Sequence, residues 1–149
     1  MKILRMISLV LGPVFLLTAM LNTAQAGEEH ETPVAPQEYL DLENPYDVDD
    51  VDDAWLKKVK RTYKSKCSKC HGSSGDGEGS ASEDIVIKPT AFSEEGYMDS
   101  KSDGQLYWIL EVGSEGTEME GFGPESDAGM SEDRLWQLIT YMRVAFTDE

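Results

Sequence analysis

Apolar residues recur with helical spacing at three places along the chain. Leu56, Val59 and Tyr63 form a stripe leading to Cys67, while Lys57, Lys60, Arg61 and Lys64 share another face. This spacing predicts a helix over 54–66, with Asp52 and Asp53 at its positive end. Leu106, Ile109 and Leu110 mark a second helix starting near Ser102. There Ser102 and Gln105 have capping-box spacing, and Gly113 can end the helix. The third pattern is the clearest. Leu135, Leu138, Ile139, Met142 and Phe146 repeat at i, i+3, i+4, i+7 and i+11, behind a Ser131 cap and the acids Glu132 and Asp133. Two long loops, 72–101 and 113–130, contain Gly and Ser and show no strand alternation. An all-α fold of three main helices and long loops follows. Its core is thin, and loops of that length in a small domain need something to organise them.

The ends of the chain differ from this middle. Lys2 and Arg5 precede a mostly apolar run from Met6 to Leu21, and Ala24-Gln25-Ala26 reads as a small-residue cleavage site. Residues 1–26 therefore read as a cleaved secretory signal peptide, because a run of 16 positions interrupted by Gly12 and Pro13 falls short of the ~20 that a membrane span needs. Residues 27–53 hold eleven acids, three prolines and no Lys or Arg, which reads as an extended, flexible acidic leader. Residues 54–149 are then the folded domain.

Charge narrows the partners. The full chain carries a net charge of −16, and the part after residue 26 sets 11 Lys and Arg against 29 Asp and Glu. Such a surface repels nucleic acid and anionic lipid. Seven of the bases nevertheless fall between Lys57 and Lys69. The five aspartates from Asp47 to Asp53 lack the central glycine and closing glutamate of a calcium loop.

The chemistry sits in Cys67-Ser68-Lys69-Cys70-His71. A disulfide closing so short a loop constrains little chain. A thioredoxin-like pair needs strand-helix-strand surroundings, and structural zinc needs a fourth ligand. The chain offers no third cysteine, and its other histidine is His30 in the leader. C-x-x-C-H is also the signature of covalent haem attachment. Two thiols at this spacing reach the two vinyl groups on one haem edge, and the following imidazole lies under the iron. Cys67 and Cys70 are thus the expected thioether residues of one haem c, and His71 is its proximal ligand. Such a ring would also fill the thin core. Gly72, Gly75, Gly77 and Gly79 would let the chain turn closely past it. No Gly-Lys-Ser/Thr follows them, so a phosphate loop is excluded.

The second axial position decides between carrier and catalyst. Met142 lies on the stripe of the last helix, His30 in the leader, and Met98 in a Gly-Tyr-Met-Asp context with nothing to hold it. Met119, in "GTEMEGFG" between two helices, is the expected ligand. Met130, just before the last helix, is the runner-up.

The order and spacing of "NPY" (44–46), "TYKSKCSKCHG" (62–72), "DGQLYWILEVG" (103–113), "GTEMEGFG" (116–123) and "MSEDRLWQLITYMR" (130–143) resemble the class I c-type cytochromes, closest in pattern to single-haem periplasmic bacterial members. The resemblance covers roughly 39–146. It implies first and last helices crossing through Tyr63, Trp136 and Tyr141, with Met119 as distal ligand. It also implies a proline carbonyl on the proximal histidine, with Pro89 in that position. Two departures stand out. Val59 replaces a usual glycine, which implies a looser or shifted crossing. Glu120 replaces a usual proline, which implies a less rigid loop and a more exchangeable Met119 bond.

With His71 and Met119 on the iron, no substrate can bind it. The expected function is a soluble periplasmic electron carrier rather than an enzyme, working with redox proteins of complementary surface. A haem subunit or dedicated electron acceptor of an oxidoreductase such as a dehydrogenase is the alternative. An open-site haem enzyme or gas sensor is a third possibility. The basic face of the first helix resembles a lysine-rich docking surface, and the acidic leader could fold back to mask it.

Overall fold

The computed structural model describes residues 32–147. The signal-peptide reading and His30 lie outside the described residues. Within them the chain forms five α-helices and no strand: α1 (Gln37–Leu40), α2 (Asp53–Lys66), α3 (Ser68–His71), α4 (Asp103–Val112) and α5 (Glu132–Phe146). The three predicted helices are α2, α4 and α5. Their starts are capped as the sequence implies, with Asp52 accepting from Trp55 N at 2.8 Å, Ser102 from Gln105 N at 3.1 Å and Ser131 from Arg134 N at 3.3 Å. Only half of the expected capping box at Ser102 forms. The Gln105 side chain turns away and donates to Pro33 O at 3.0 Å, while its own oxygen accepts from Ala35 N at 2.8 Å.

Helix α5 is the axis of the core. Nine of its residues are buried, more than a single apolar stripe provides, because α2 and α4 pack on it from different sides. Tyr63 of α2 lies 5.5 Å from Tyr141 and 5.2 Å from Phe146, ring centre to ring centre. The implied third member, Trp136, belongs elsewhere. Its indole stacks at 4.3 Å on Tyr107 of α4, so aromatic pairs tie α5 separately to each partner. Val59 is completely buried at 0 % exposure, so the crossing accommodates its branched side chain.

The acidic stretch before α2 departs from expectation. Over its described part it is a docked strap, not a flexible leader. α1 packs on α4, and a single 3-10 turn (Val48–Asp50) packs on α5. Tyr39 donates to Glu111 at 2.6 Å, Asn44 donates to Asp103 at 2.7 Å and to Thr140 at 3.0 Å, and Tyr46 donates to Asp133. Charge composition hid this because the anchors are a few tyrosine and asparagine side chains among many solvated acids. The strap runs over α4 and α5, not over the outward face of α2.

The carboxy-terminal end of α5 is clamped as well. Arg143 forms an ion pair with Asp103 at 2.6 Å and also donates to the carbonyls of Met98 and Lys101. Met98 was expected to have nothing to hold it. It is instead one of the most buried side chains, in a 3-10 turn (Met98–Ser100) fixed by that arginine.

Candidate haem-attachment site

The Cys-Cys-His stretch forms one turn of helix. Cys67 ends α2 with its N–H on Tyr63 O at 2.8 Å, and Cys70 and His71 both return hydrogen bonds to Cys67 O, at 3.1 and 2.9 Å. Positions i, i+3 and i+4 therefore share one face, which brings both sulfurs and the imidazole together. Both thiols are unpaired. Burial pushes the Cys67 thiol up to about 12; the neighbouring Cys70 adds to the shift and Lys66 partly offsets it. In the absence of a reaction partner it remains a protonated, small apolar group.

Gly72 stops this helix with a left-handed φ of +77°. The chain then doubles back over the turn it has just made. Gly77 N donates to His71 O at 3.0 Å, Gly79 N to Cys70 O at 3.0 Å and Ala81 N to Lys69 O at 2.9 Å. These bonds satisfy carbonyls that a helix end leaves free. A Cβ on Gly79 would stand 2.3 Å from Lys69 O, so this glycine is required by the approach of backbone to backbone. The neighbours that crowd Gly75, Gly77 and Gly79 are the Phe146 ring, Pro89 O and Lys69 O. Protein atoms, and not merely a flat ligand, account for the glycine-rich loop.

His71 is buried and held from two directions. Its Nδ1 lies 3.0 Å from Thr90 O, which makes Nδ1–H the donor and leaves the Nε2 lone pair free. The implied carbonyl was that of Pro89; the structure supplies its neighbour, Thr90. The position before it could be read as proline, but which carbonyl points inward is a matter of loop geometry. Phe92 stacks on the imidazole at 4.4 Å and fixes its plane. Burial lowers the His71 pKa, opposed in part by the Thr90 bond, so the ring is neutral at pH 7, as a metal ligand must be. Neither Thr90 nor Phe92 was predicted. Their only signal was proximity to Pro89.

Met119 lies apart from this turn. Its backbone is fixed at three points: Met119 N donates to Thr117 Oγ1 at 3.0 Å, Met119 O accepts from Ser114 N at 2.8 Å, and Gly113 pairs with Glu120 in an isolated β-bridge. Phe122 N on Leu110 O at 2.8 Å and Gly123 N on Glu111 O at 3.1 Å extend the attachment to α4. The loop is therefore secured despite Glu120 at the usual proline position. The Met119 side chain is half-buried, packed against the core cluster that contains Cys67. It also lines a cavity of about 510 Å³ with Trp108, Val112, Gly113 and Thr117, and no residue of the Cys67–His71 turn lines that cavity. Met130 and Met142 are both buried in the core.

The donor set fits a haem of the c type: two free thiols one helical turn apart, and a neutral imidazole whose outer nitrogen is already engaged. A family model described as "Cytochrome C oxidase, cbb3-type, subunit III" matches residues 54–142. The chain is a class I c-type cytochrome. Membership implies covalently bound haem c and haem-based electron transfer. Among solved structures, a chain of the reducing HAO-like protein complex of Kuenenia stuttgartiensis is similar to this cytochrome, with a TM-score of 0.51 and 26 % identity. The likeness covers 67 % of this chain and 49 % of that one, so the cytochrome spans about half the length of its structural relative. A search of curated proteins gave no match. Among the described residues no helix of the cytochrome is long and apolar enough to cross a membrane.

Proposed function

We propose that this cytochrome is a single-haem, periplasmic electron carrier in which Cys67 and Cys70 form the thioethers and His71 and Met119 are the axial ligands. The observation that carries this reading is the hydrogen bond from His71 Nδ1 to Thr90 O at 3.0 Å, set on a turn that also presents two unpaired thiols. When bound, haem c supplies a one-electron iron couple. The protein's own residues do the rest. Thr90 and Phe92 hold the imidazole in one tautomer and one plane. The loop 72–81 closes over the attachment turn by three backbone hydrogen bonds. The bonds of Ser114, Thr117 and Glu120 hold Met119 in one backbone position, and a thioether ligand there favours the reduced state.

The test is the mass of the protein secreted from a host that attaches haem c. The expected value is that of the polypeptide from residue 27 plus one haem, and a bare polypeptide mass would overturn the proposal. The likeness to a chain of an HAO-like complex favours a second reading, in which the cytochrome is the haem subunit or dedicated acceptor of an oxidoreductase. Stoichiometric co-purification from its native membrane-free extract with an enzyme that reduces it would favour that reading.

A further inference from the structure

Glu111 is an unfavourable residue for its place. It stands half-buried in the last turn of α4, at the negative end of the helix dipole, and no base in that turn offsets it. Two phenols hold the carboxylate there instead. Tyr39 of the strap donates to one oxygen at 2.6 Å, a short charge-assisted bond, and Tyr107 donates to the other at 3.4 Å. The bond to Glu111, helped by burial, raises the Tyr39 phenol above its ordinary pKa, so Tyr39 remains a donor at neutral pH. Tyr39 reaches this position because α1 lies directly on α4. A Cβ at Gly104 would collide with the Tyr39 carbonyl, and the Tyr39 ring stacks on Tyr107 with centres 6.3 Å apart.

The same residue carries the loop of Met119. Gly123 N donates to Glu111 O at 3.1 Å, next to the bond from Phe122 N to Leu110 O at 2.8 Å. A Cβ at Gly121 would stand 2.5 Å from Glu111 O, and one at Gly123 would stand 2.6 Å from Glu111 Cγ. Neither glycine has a positive φ, so the closeness of this contact, not the backbone conformation, demands glycine. The returning limb of the loop therefore lies against both the backbone and the side-chain stem of Glu111. Tyr39 fixes the far end of that stem.

We infer that Glu111, held by Tyr39, is a positioning residue for Met119: it fixes the returning limb of the loop and so keeps the thioether at the distal position. This deepens the electron-carrier reading and, for the ligand role, rests on it. Side chains occupy discrete staggered rotamers, so a Glu111 freed from Tyr39 swings its Cγ into Gly123 or away from it. Either move breaks the contact that the two glycines make possible. The limb then opens more often, and an added ligand competes better for the distal position. Loss of one such hydrogen bond at a partly wet site shifts the opening equilibrium by about two- to fivefold.

Two measurements on the haem-loaded full protein test this. The first, amide hydrogen exchange, does not depend on which side chain binds the iron. In Y39F, and in E111Q, which keeps the stem but loses the charge, the N–H groups of Phe122 and Gly123 should exchange about two- to fivefold faster than in the wild type. Those of Gly77 and Gly79, on the other loop, should not change. E111A removes the stem as well and should show the largest acceleration. N44A removes a different strap anchor, the bonds to Asp103 and Thr140, and should lower the denaturant midpoint while leaving Phe122 and Gly123 as they were. Unchanged exchange in E111A, or equal acceleration in N44A, overturns the inference. The second measurement is titration of the ferric protein with imidazole. The apparent Kd should fall about two- to fivefold in Y39F and E111Q, at a temperature where the helical signal is that of the wild type. Faster exchange with an unchanged imidazole affinity overturns the positioning role. A wild type without the red-edge sulfur band would instead overturn Met119 as ligand, and the exchange rates would still decide whether Glu111 fixes the loop.

Discussion

The loop after His71 and the loop bearing Met119 are both anchored by glycine and backbone hydrogen bonds, but they are anchored to different things. The loop after His71 is fastened to the attachment turn itself, through Gly77 on His71 O, Gly79 on Cys70 O and Ala81 on Lys69 O. The loop bearing Met119 is fastened to the end of α4, through Ser114, Glu120, Phe122 and Gly123. On the first side the attachment turn and the loop that closes on it form one stretch of chain, 67–81, while His71 is also held by Thr90 and Phe92. On the second, the position of Met119 depends on how α4 lies on α5 and on the strap. The backbone of the attachment turn and its loop should therefore tolerate loss of the α4–α5 contact better than the Met119 loop does.

The largest expected effect separates the halves at the proximal side. Gly79→Val puts branched carbon where Lys69 O is 2.3 Å from a Cβ, a collision of side chain with backbone worth about 3 kcal/mol. It should sharply reduce the yield of haem-bearing protein, read by mass. A normal yield would mean that the loop 72–81 is not part of the attachment unit.

Met119→Ala should act on the other half alone. The haem should remain covalently attached, while the red-edge band of sulfur on ferric iron disappears, the midpoint potential falls and added imidazole binds. If the band persists in M119A and vanishes in M130A, the runner-up is the ligand. The comparison then fails, because Met130 lies just before α5 rather than on the loop fastened to the end of α4.

Gly113→Ala should be milder and more selective. Gly113 has a φ of +87°, and a Cβ there would stand 2.5 Å from Met119 O. The strain costs about 1–3 kcal/mol. The expected result is partial loss of the sulfur band at a temperature where the α-helical signal is unchanged. Simultaneous loss of both would show that the two halves are one cooperative unit.

Alkaline pH tests the aromatic framework under both halves. Burial raises the phenol pKa of Tyr63, Tyr107 and Tyr141 above the ordinary 10.0, that of Tyr107 to about 12. The folded state then keeps protons that the unfolded state has lost, so the contribution is fully present below pH 10 and lost as pH rises toward 12. Denaturant midpoints should be flat to about pH 10 and fall beyond it, with tyrosinate absorbance appearing at the unfolding step. The smallest effect belongs to the strap. Tyr39→Phe removes the hydrogen bond to Glu111 at a partly wet site and should cost about 0.5–1 kcal/mol, read by chemical denaturation.

Much of this was legible in the sequence because it is local. The periods of α2, α4 and α5, the caps Asp52, Ser102 and Ser131, and the grouping of Cys67, Cys70 and His71 on one helical face all follow from spacing over a few residues. What failed to be read spans long intervals. The docked strap, the Trp136–Tyr107 stack, the Arg143 clamp under Met98 and the Thr90 carbonyl on His71 join residues that are 19 to 96 apart.

The sequence alone determined the donor grouping on which the proposed attachment rests, because two thiols and an imidazole within five residues need only one turn of helix to converge. The tertiary structure decided which carbonyl orients the imidazole and what supports Met119. Those outcomes depend on where separate segments come to rest when aromatic and apolar surface is buried, and no short stretch of chain encodes that arrangement by itself.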